Sequence, residues 1–145
     1  MGDPVRRGTV CFLRDGNQLL LALIEYGPTD SKWTGIGGFV EEGETLAQAV
    51  VREAREETYL ELDERDLHKV AELNGPIQLN VFLADKWTGE LKIKEPGIKE
   101  LRWFPINDLP YSQMHPGTQN WLPQVLVGKL LKTTSSQITE VSAFD

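Results

Sequence analysis

The amino-acid sequence predicts an α/β fold, with one mixed β-sheet between helices. The chain opens on two apolar, strand-like runs joined by a tight turn, and a stretch of good helix formers follows. Four short β-prone segments then precede a second apolar run at helical spacing. No segment repeats at a fixed period and no linker or low-complexity tract divides the chain, so residues 1–145 are expected to form a single domain.

Taken in order, Thr9–Leu13 and Gln18–Tyr26 read as a hairpin, with Asp15-Gly16 supplying the positive φ angles of its turn. Gly27–Gly38 is rich in Gly, Pro, Asp, Ser and Thr and reads as a loop running into a short strand at Phe39 and Val40. Thr45–Thr58 is the expected first helix, opened by Thr45 and Gln48 in the pattern of a capping box. Leu67–Leu73, Ile77–Ala84, Leu91–Lys94 and Leu101–Phe104 read as strands, separated by Gly75-Pro76, Thr88-Gly89 and Pro96-Gly97. Over Asn120–Leu131 the apolar residues fall near helical spacing, with Pro123 best tolerated in the first turn. Ser135–Phe144 either adds a last strand or frays as a tail.

Twenty-two acidic residues against fifteen basic ones leave a net charge of −7. That balance argues against a sequence-independent nucleic-acid binder, which needs a basic stripe, and against an anionic membrane surface. An anionic substrate would require a recruited cation. The longest apolar stretch, Leu19–Ile24, falls far short of the roughly 20 residues of a membrane span. Met1–Thr9 has Arg6 and Arg7 but no apolar segment of signal-peptide length behind them. Cys11 is the only cysteine and lies in a strand-like run, which excludes an intramolecular disulfide and points to a buried thiol in a reducing cytoplasm.

The chemically informative stretch is Arg52–Glu57, REAREE. Glu53, Glu56 and Glu57 stand at i, i+3 and i+4 and share one helical face. Like charges at this spacing cost an isolated helix roughly 0.2 to 0.5 kcal/mol per pair, but they suit a hard divalent cation. Oxygen ligands favour Mg²⁺ or Mn²⁺; zinc would call for Cys or His, of which the chain has only Cys11, His68 and His115. The competing reading is a solvated face on which Arg52 pairs with Glu56 and Arg55 screens its neighbours. The preceding loop, Gly35–Glu44 (GIGGFVEEGE), brings further glycines and carboxylates into the same helix. It lacks the GK[ST] ending or GxGxxG spacing of a phosphate loop, and Glu41, Glu42 and Glu44 would repel a bare phosphate.

Gly38–Leu60, GFVEEGETLAQAVVREAREETYL, resembles the Nudix box: Gly, five residues, Glu, seven residues, RE, an aliphatic, any residue, EE, any residue, Gly and an aliphatic. Gly38, Glu44, Arg52, Glu53, Glu56, Glu57 and Leu60 match at the required spacing, with Ala54 at the first aliphatic position. Tyr59 stands where the pattern has glycine; a left-handed helix end would be strained there, so a different local loop is expected. The resemblance implies an α/β/α sandwich that hydrolyses a nucleoside diphosphate linked to another group, with Mg²⁺ held by Glu53, Glu56 and Glu57. It further implies that Arg52 orients the glutamates and Glu44 braces the loop. The general base is left open between a box glutamate and a later carboxylate, Glu95 or Glu100.

The resemblance extends beyond the box to the Nudix branch that removes oxidised purine nucleoside triphosphates, carried by Trp33, Trp87–Glu90, Leu101–Pro105 and Tyr111–Leu126. It implies a small-molecule nucleotide substrate, cleaved to the monophosphate and pyrophosphate, with Trp33, Thr34, Gly37, Gly38 and His115 as substrate-binding candidates. His115 either contacts a base or is an exposed loop residue, and Trp33 and Trp121 are pocket walls or core. Where that branch reads the purine with a WPDD segment and an Asn, this chain has His115-Pro116-Gly117-Thr118 and Thr34, so its base specificity is expected to differ. Two alternatives stay open: hydrolysis of ADP-ribose, a nucleotide sugar or a dinucleotide, and a non-catalytic nucleotide-binding module. The sequence permits a homodimer and establishes none.

Overall fold

The computed structural model describes residues 5–134 and 137–144. Among these residues, nine strands and two α-helices follow one another as β1 (Arg6–Asp15), β2 (Gln18–Gly27), β3 (Asp30–Thr34), β4 (Ile36–Phe39), α1 (Leu46–Thr58), β5 (His68–Asn74), β6 (Ile77–Ala84), β7 (Ile98–Pro105), α2 (Thr118–Leu126), β8 (Leu130–Thr134) and β9 (Gln137–Val141). The larger part of the sheet runs β4-β1-β6-β5-β8-β9; β1 is parallel to β6 and β5 to β8, and the other pairings are antiparallel. The end of the β1–β2 hairpin joins it to β3-β2-β7.

Alternation along the strands feeds two cores, one on each face of the sheet. Cys11, Leu13 and Leu20 point to one side with Ile36 and Phe82, and α1 covers them with Val50 and Ala54. Val10, Phe12, Leu19, Leu21 and Val81 point to the other, where Trp121, Leu122, Val125 and Leu126 of α2 close the layer. The result is the expected α/β/α sandwich on a mixed sheet. Cys11 is buried, and that burial pushes its thiol up to about 12, so it is an inert packing group.

Several expectations need correction. The hairpin turns on Gly16 and Asn17, with only Gly16 at positive φ, while Asp15 stays in β1 opposite Gln18. Gly27–Gly38 is mostly strand: β3 pairs with β2 and β4 with β1, so the strand expected at Phe39 and Val40 ends at Phe39. Leu91–Lys94 forms no strand; the Lys92 and Lys94 amides instead bond the Thr58 and Glu57 carbonyls at the end of α1. Helix α2 starts at Thr118, so Pro123 lies beyond the first turn, and it stops at Leu126, after which Leu130 and Leu131 enter β8. In Ser135–Phe144 a strand does form at Gln137–Val141; the portion of the expectation on Ser135 and Ser136 lies outside the described residues.

Tyr59 reverses the expectation of a different loop. It caps α1 at φ 65° and ψ 8°, the left-handed conformation, and its amide bonds the Arg55 carbonyl. It is the only non-glycine at positive φ among the described residues. Its exposed ring lies under Lys94 Nζ, 4.6 Å from the centroid.

Candidate active site

Helix α1 carries the site, and its start is fixed locally. The Gln48 amide donates to Thr45 Oγ1 at 3.1 Å and the Thr45 amide to Gln48 Oε1 at 2.9 Å, the capping box expected from the sequence. Ala49, Val50 and Ala54 press the helix onto the sheet, Gly38 lets it come close, and Gly37 lets β4 lie tight against β1. A Cβ at Gly37 would overlap the Thr9 carbonyl, and one at Gly38 would lie 2.5 Å from Glu53 Oε1.

Arg52 organises the carboxylates at the helix start. Its Nε and Nη2 donate to the two oxygens of Glu44 at 2.7 and 3.0 Å, a fork that also braces the loop, since Glu44 Oε1 accepts from the Glu41 amide. Nη1 reaches Glu53 at 2.9 Å and Glu56 at 3.2 Å, and Nη2 donates to the Phe39 carbonyl at 3.0 Å. The guanidinium holds the Glu44 carboxyl below the usual range, and Glu44 in turn raises the Arg52 pKa. The solvated-face reading holds for one pair: Arg52 does meet Glu56. Arg55, however, forks onto Glu61 instead of screening the box.

Glu57 belongs to no solvated face. It is 9% exposed, and its Oε2 is buried without a hydrogen-bond partner. Burial, with Glu53 and Glu95 nearby, pushes its carboxyl up to about 8, against the opposing pull of the Gly37 amide. Burial likewise raises the Glu53 pKa, and Arg52 partly offsets this. Among the described residues, no three carboxylate, imidazole or thiol groups are gathered closely enough to hold a metal ion as they stand. Yet a buried carboxylate with an orphaned oxygen, facing two further carboxylates, is short of a cation, and an oxygen-only donor set fits a hard divalent ion.

The two later carboxylates separate. Glu95 follows the segment that caps α1 and is near enough to raise both Glu53 and Glu57. Glu100, on β7, is held by Arg102 at 2.6 Å.

Beside Glu57 opens a cleft of about 360 Å³ lined by Thr34, Gly37, Gly38, Phe39, Tyr26 and His115. It adjoins a recess of about 160 Å³ that shares Thr34 and His115 and is walled by Trp33, Met114 and Trp121. Both tryptophans are therefore core and wall: Trp33 is 4% exposed, edge-on to Phe104, and Trp121 lies against Phe12. His115 is exposed at the cleft, its Nε2 2.9 Å from Tyr26 Oη. Desolvation and Lys32 lower its pKa, while desolvation raises that of Tyr26, so both rings are neutral at pH 7. A larger groove, about 540 Å³, lies beside α1 but is lined by Glu61, Asp63, Glu64 and Asp66 and has the wrong sign for a phosphate.

Sequence reasoning passed over Tyr26, Phe39 and Arg6. Tyr26 sits where a register shift in β2 breaks strand alternation, so no periodic signal marks it. Phe39 and Arg6 are exposed strand residues whose pairing is visible only in three dimensions.

The chain matches the family model of the NUDIX domain over residues 4–125 and belongs to the Nudix family. The oxidized purine nucleoside triphosphate hydrolase of Danio rerio is 34% identical over 128 residues, 83% of this chain and 80% of that protein. The NAD-capped RNA hydrolase NudC of Haemophilus influenzae is 36% identical over 108 residues, 70% of this chain but 41% of its own length. Among solved structures, a MutT NUDIX hydrolase from Burkholderia pseudomallei superposes with a TM-score of 0.72 at 28% identity, covering 85% of this chain and 99% of that one. This chain is thus a Nudix hydrolase, an enzyme. No helix among its described residues is long and apolar enough to cross a membrane.

Proposed function

We propose that this Nudix hydrolase is a Mg²⁺-dependent pyrophosphohydrolase of nucleoside triphosphates, purine and modified purine nucleotides foremost, releasing the monophosphate and pyrophosphate. The observation that carries it is the buried Glu57 carboxylate, one oxygen without a partner and with Glu53 and Glu95 near it, at an aromatic-walled cleft. The names of relatives that align over most of this chain support the triphosphate substrate.

Glu53, Glu56 and Glu57 would hold Mg²⁺, with Mn²⁺ able to replace it. Such an ion, when bound, neutralises phosphate oxygens and lowers the pKa of an attacking water. The chain's own residues do the rest. Arg52 keeps Glu53 and Glu56 on one side of the helix and ties them to the Glu44 brace. The Gly37-Gly38 backbone lines the same cleft as Glu57 and offers its surface to the phosphates there. Glu95 accepts a proton from water, the role its position beside Glu57 favours over Glu100. The recess behind Thr34 and His115 receives the base against Trp33 and Trp121.

Product analysis on a panel of canonical and oxidised nucleoside triphosphates, ADP-ribose and dinucleotides, each with Mg²⁺, tests the assignment. Monophosphate plus pyrophosphate from at least one triphosphate is expected. Two monophosphates, from the linked compounds alone, would instead place the enzyme with hydrolases of nucleoside diphosphate-linked substrates, a reading the NudC relatives favour.

A further inference from the structure

We infer that Arg6, stacked on Phe39 at the rim of the cleft, is an anion-binding residue that takes the distal phosphates of the substrate. Its guanidinium carbon lies 3.4 Å from the Phe39 ring centroid. The same Phe39 gives its carbonyl to Arg52 and follows Gly37 and Gly38, which pack against Glu57 and Glu53. The ring therefore fixes a cation next to the carboxylate cluster, on the side of the sheet where the cleft opens. Arg6 pairs in register with Ile77, another residue of the cleft wall.

The charge balance gives that cation its purpose. The residues lining the cleft include no lysine or arginine. Arg52 is committed to Glu44, Glu53 and Glu56, and the nearby Lys32 is paired with Asp30. Among the described residues no carboxylate stands within ion-pair distance of Arg6, whose guanidinium rests on the ring. In a chain of net charge −7, an arginine held this way offsets the repulsion that the acidic cluster exerts on a phosphate tail. The inference rests on the phosphate-substrate reading above, but it concerns affinity for the tail and leaves the cleavage chemistry untouched.

The test is a comparison of wild type, Arg6→Ala and Arg6→Lys in calorimetric titrations with inorganic pyrophosphate and Mg²⁺, alongside kinetics on a nucleoside triphosphate. Arg6→Ala should weaken pyrophosphate binding and raise KM by about ten-fold, with kcat within about two-fold of wild type. Inhibition by the nucleoside monophosphate should stay unchanged, and Arg6→Lys should recover part of the loss because it restores the charge without the flat fork. Unchanged pyrophosphate affinity in Arg6→Ala would overturn the inference, as would equal loss for pyrophosphate and monophosphate. A wild type that binds pyrophosphate through Arg6 yet cleaves no triphosphate would keep the inference and overturn the proposed function.

Discussion

Glu57 shows how much chemistry one residue's surroundings decide. In sequence it is one of three equivalent glutamates. In the fold, Glu56 is exposed and paired with Arg52, whereas Glu57 is buried and raised to about 8. Its folded pKa lies above its ordinary 4.5, so the metal-free fold binds the proton more tightly than the unfolded chain. The stability this confers is complete below about pH 4.5 and is lost as pH rises through about 8. Metal-free protein should therefore show a Tm that falls over that window, Glu57→Gln should remove the fall, and Mg²⁺ should reverse it in the wild type only. A pH-independent Tm in metal-free wild type would contradict this. Glu56→Gln, at an exposed position, should lower kcat by more than about a hundred-fold while leaving Tm within a few degrees. The two candidate bases separate by the same logic: Glu95→Gln should cost about a hundred-fold or more in kcat, and Glu100→Gln only a few-fold. Equal losses would remove Glu95 from that role.

At the scale of elements, the start of α1 was legible because its signals are local: a capping box and a carboxylate spacing need no partner strand. The strands in Gly27–Gly38 were hidden because their turn-forming composition is overridden by pairing with β1 and β2, distant in sequence. Leu91–Lys94 has a strand's alternation but is used to satisfy the last carbonyls of α1, and that use delivers Glu95 to Glu57. Helical spacing continued through Leu131 on paper, yet Val127, Gly128 and Lys129 turn back onto the Gln124 and Val125 carbonyls and end the helix. Two substitutions test this level. Tyr59→Gly should relieve the left-handed strain and stabilise the protein by about 1 kcal/mol, a Tm rise of about 2 to 4 °C. Arg52→Lys cannot reproduce the fork to Glu44 and the bond to the Phe39 carbonyl together, and should cost about 1 to 3 kcal/mol with a large loss of kcat. Full activity and an unchanged Tm in that variant would show that Arg52 does not hold the site together.

For the whole molecule, the sandwich places the acidic helix on one side of the sheet edge and the aromatic recess on the other, joined by the Gly37-Gly38 strand. The family box made the acidic half readable in sequence; the recess was readable only as a set of replacements at Thr34, Gly117 and Thr118. The structure refines those. Thr118 is buried, and its hydroxyl donates to the His115 carbonyl at 2.7 Å, so it braces the loop that presents His115. Thr34, in the cleft wall, is the position at which a base-reading group can be added, whereas Gly117, at φ 88°, would be strained by any side chain. With no carboxylate in the recess, discrimination between oxidised and normal purines should be weak, ten-fold or so below a fully paired pocket for each lost contact. Thr34→Asn should raise the ratio of kcat/KM for oxidised over normal purine triphosphates. An unchanged ratio would mean that the base is read elsewhere.

A carboxyl NMR titration of Glu57 with and without Mg²⁺ shows whether this carboxylate is held short of a cation until a divalent ion arrives. A pKa near 8 is expected in metal-free protein, with a fall well below the ordinary carboxylate value when Mg²⁺ is added, since the ion competes with the proton for the same oxygen. An ordinary pKa in the metal-free protein, or a raised one that Mg²⁺ leaves in place while nucleotide is turned over, would contradict it.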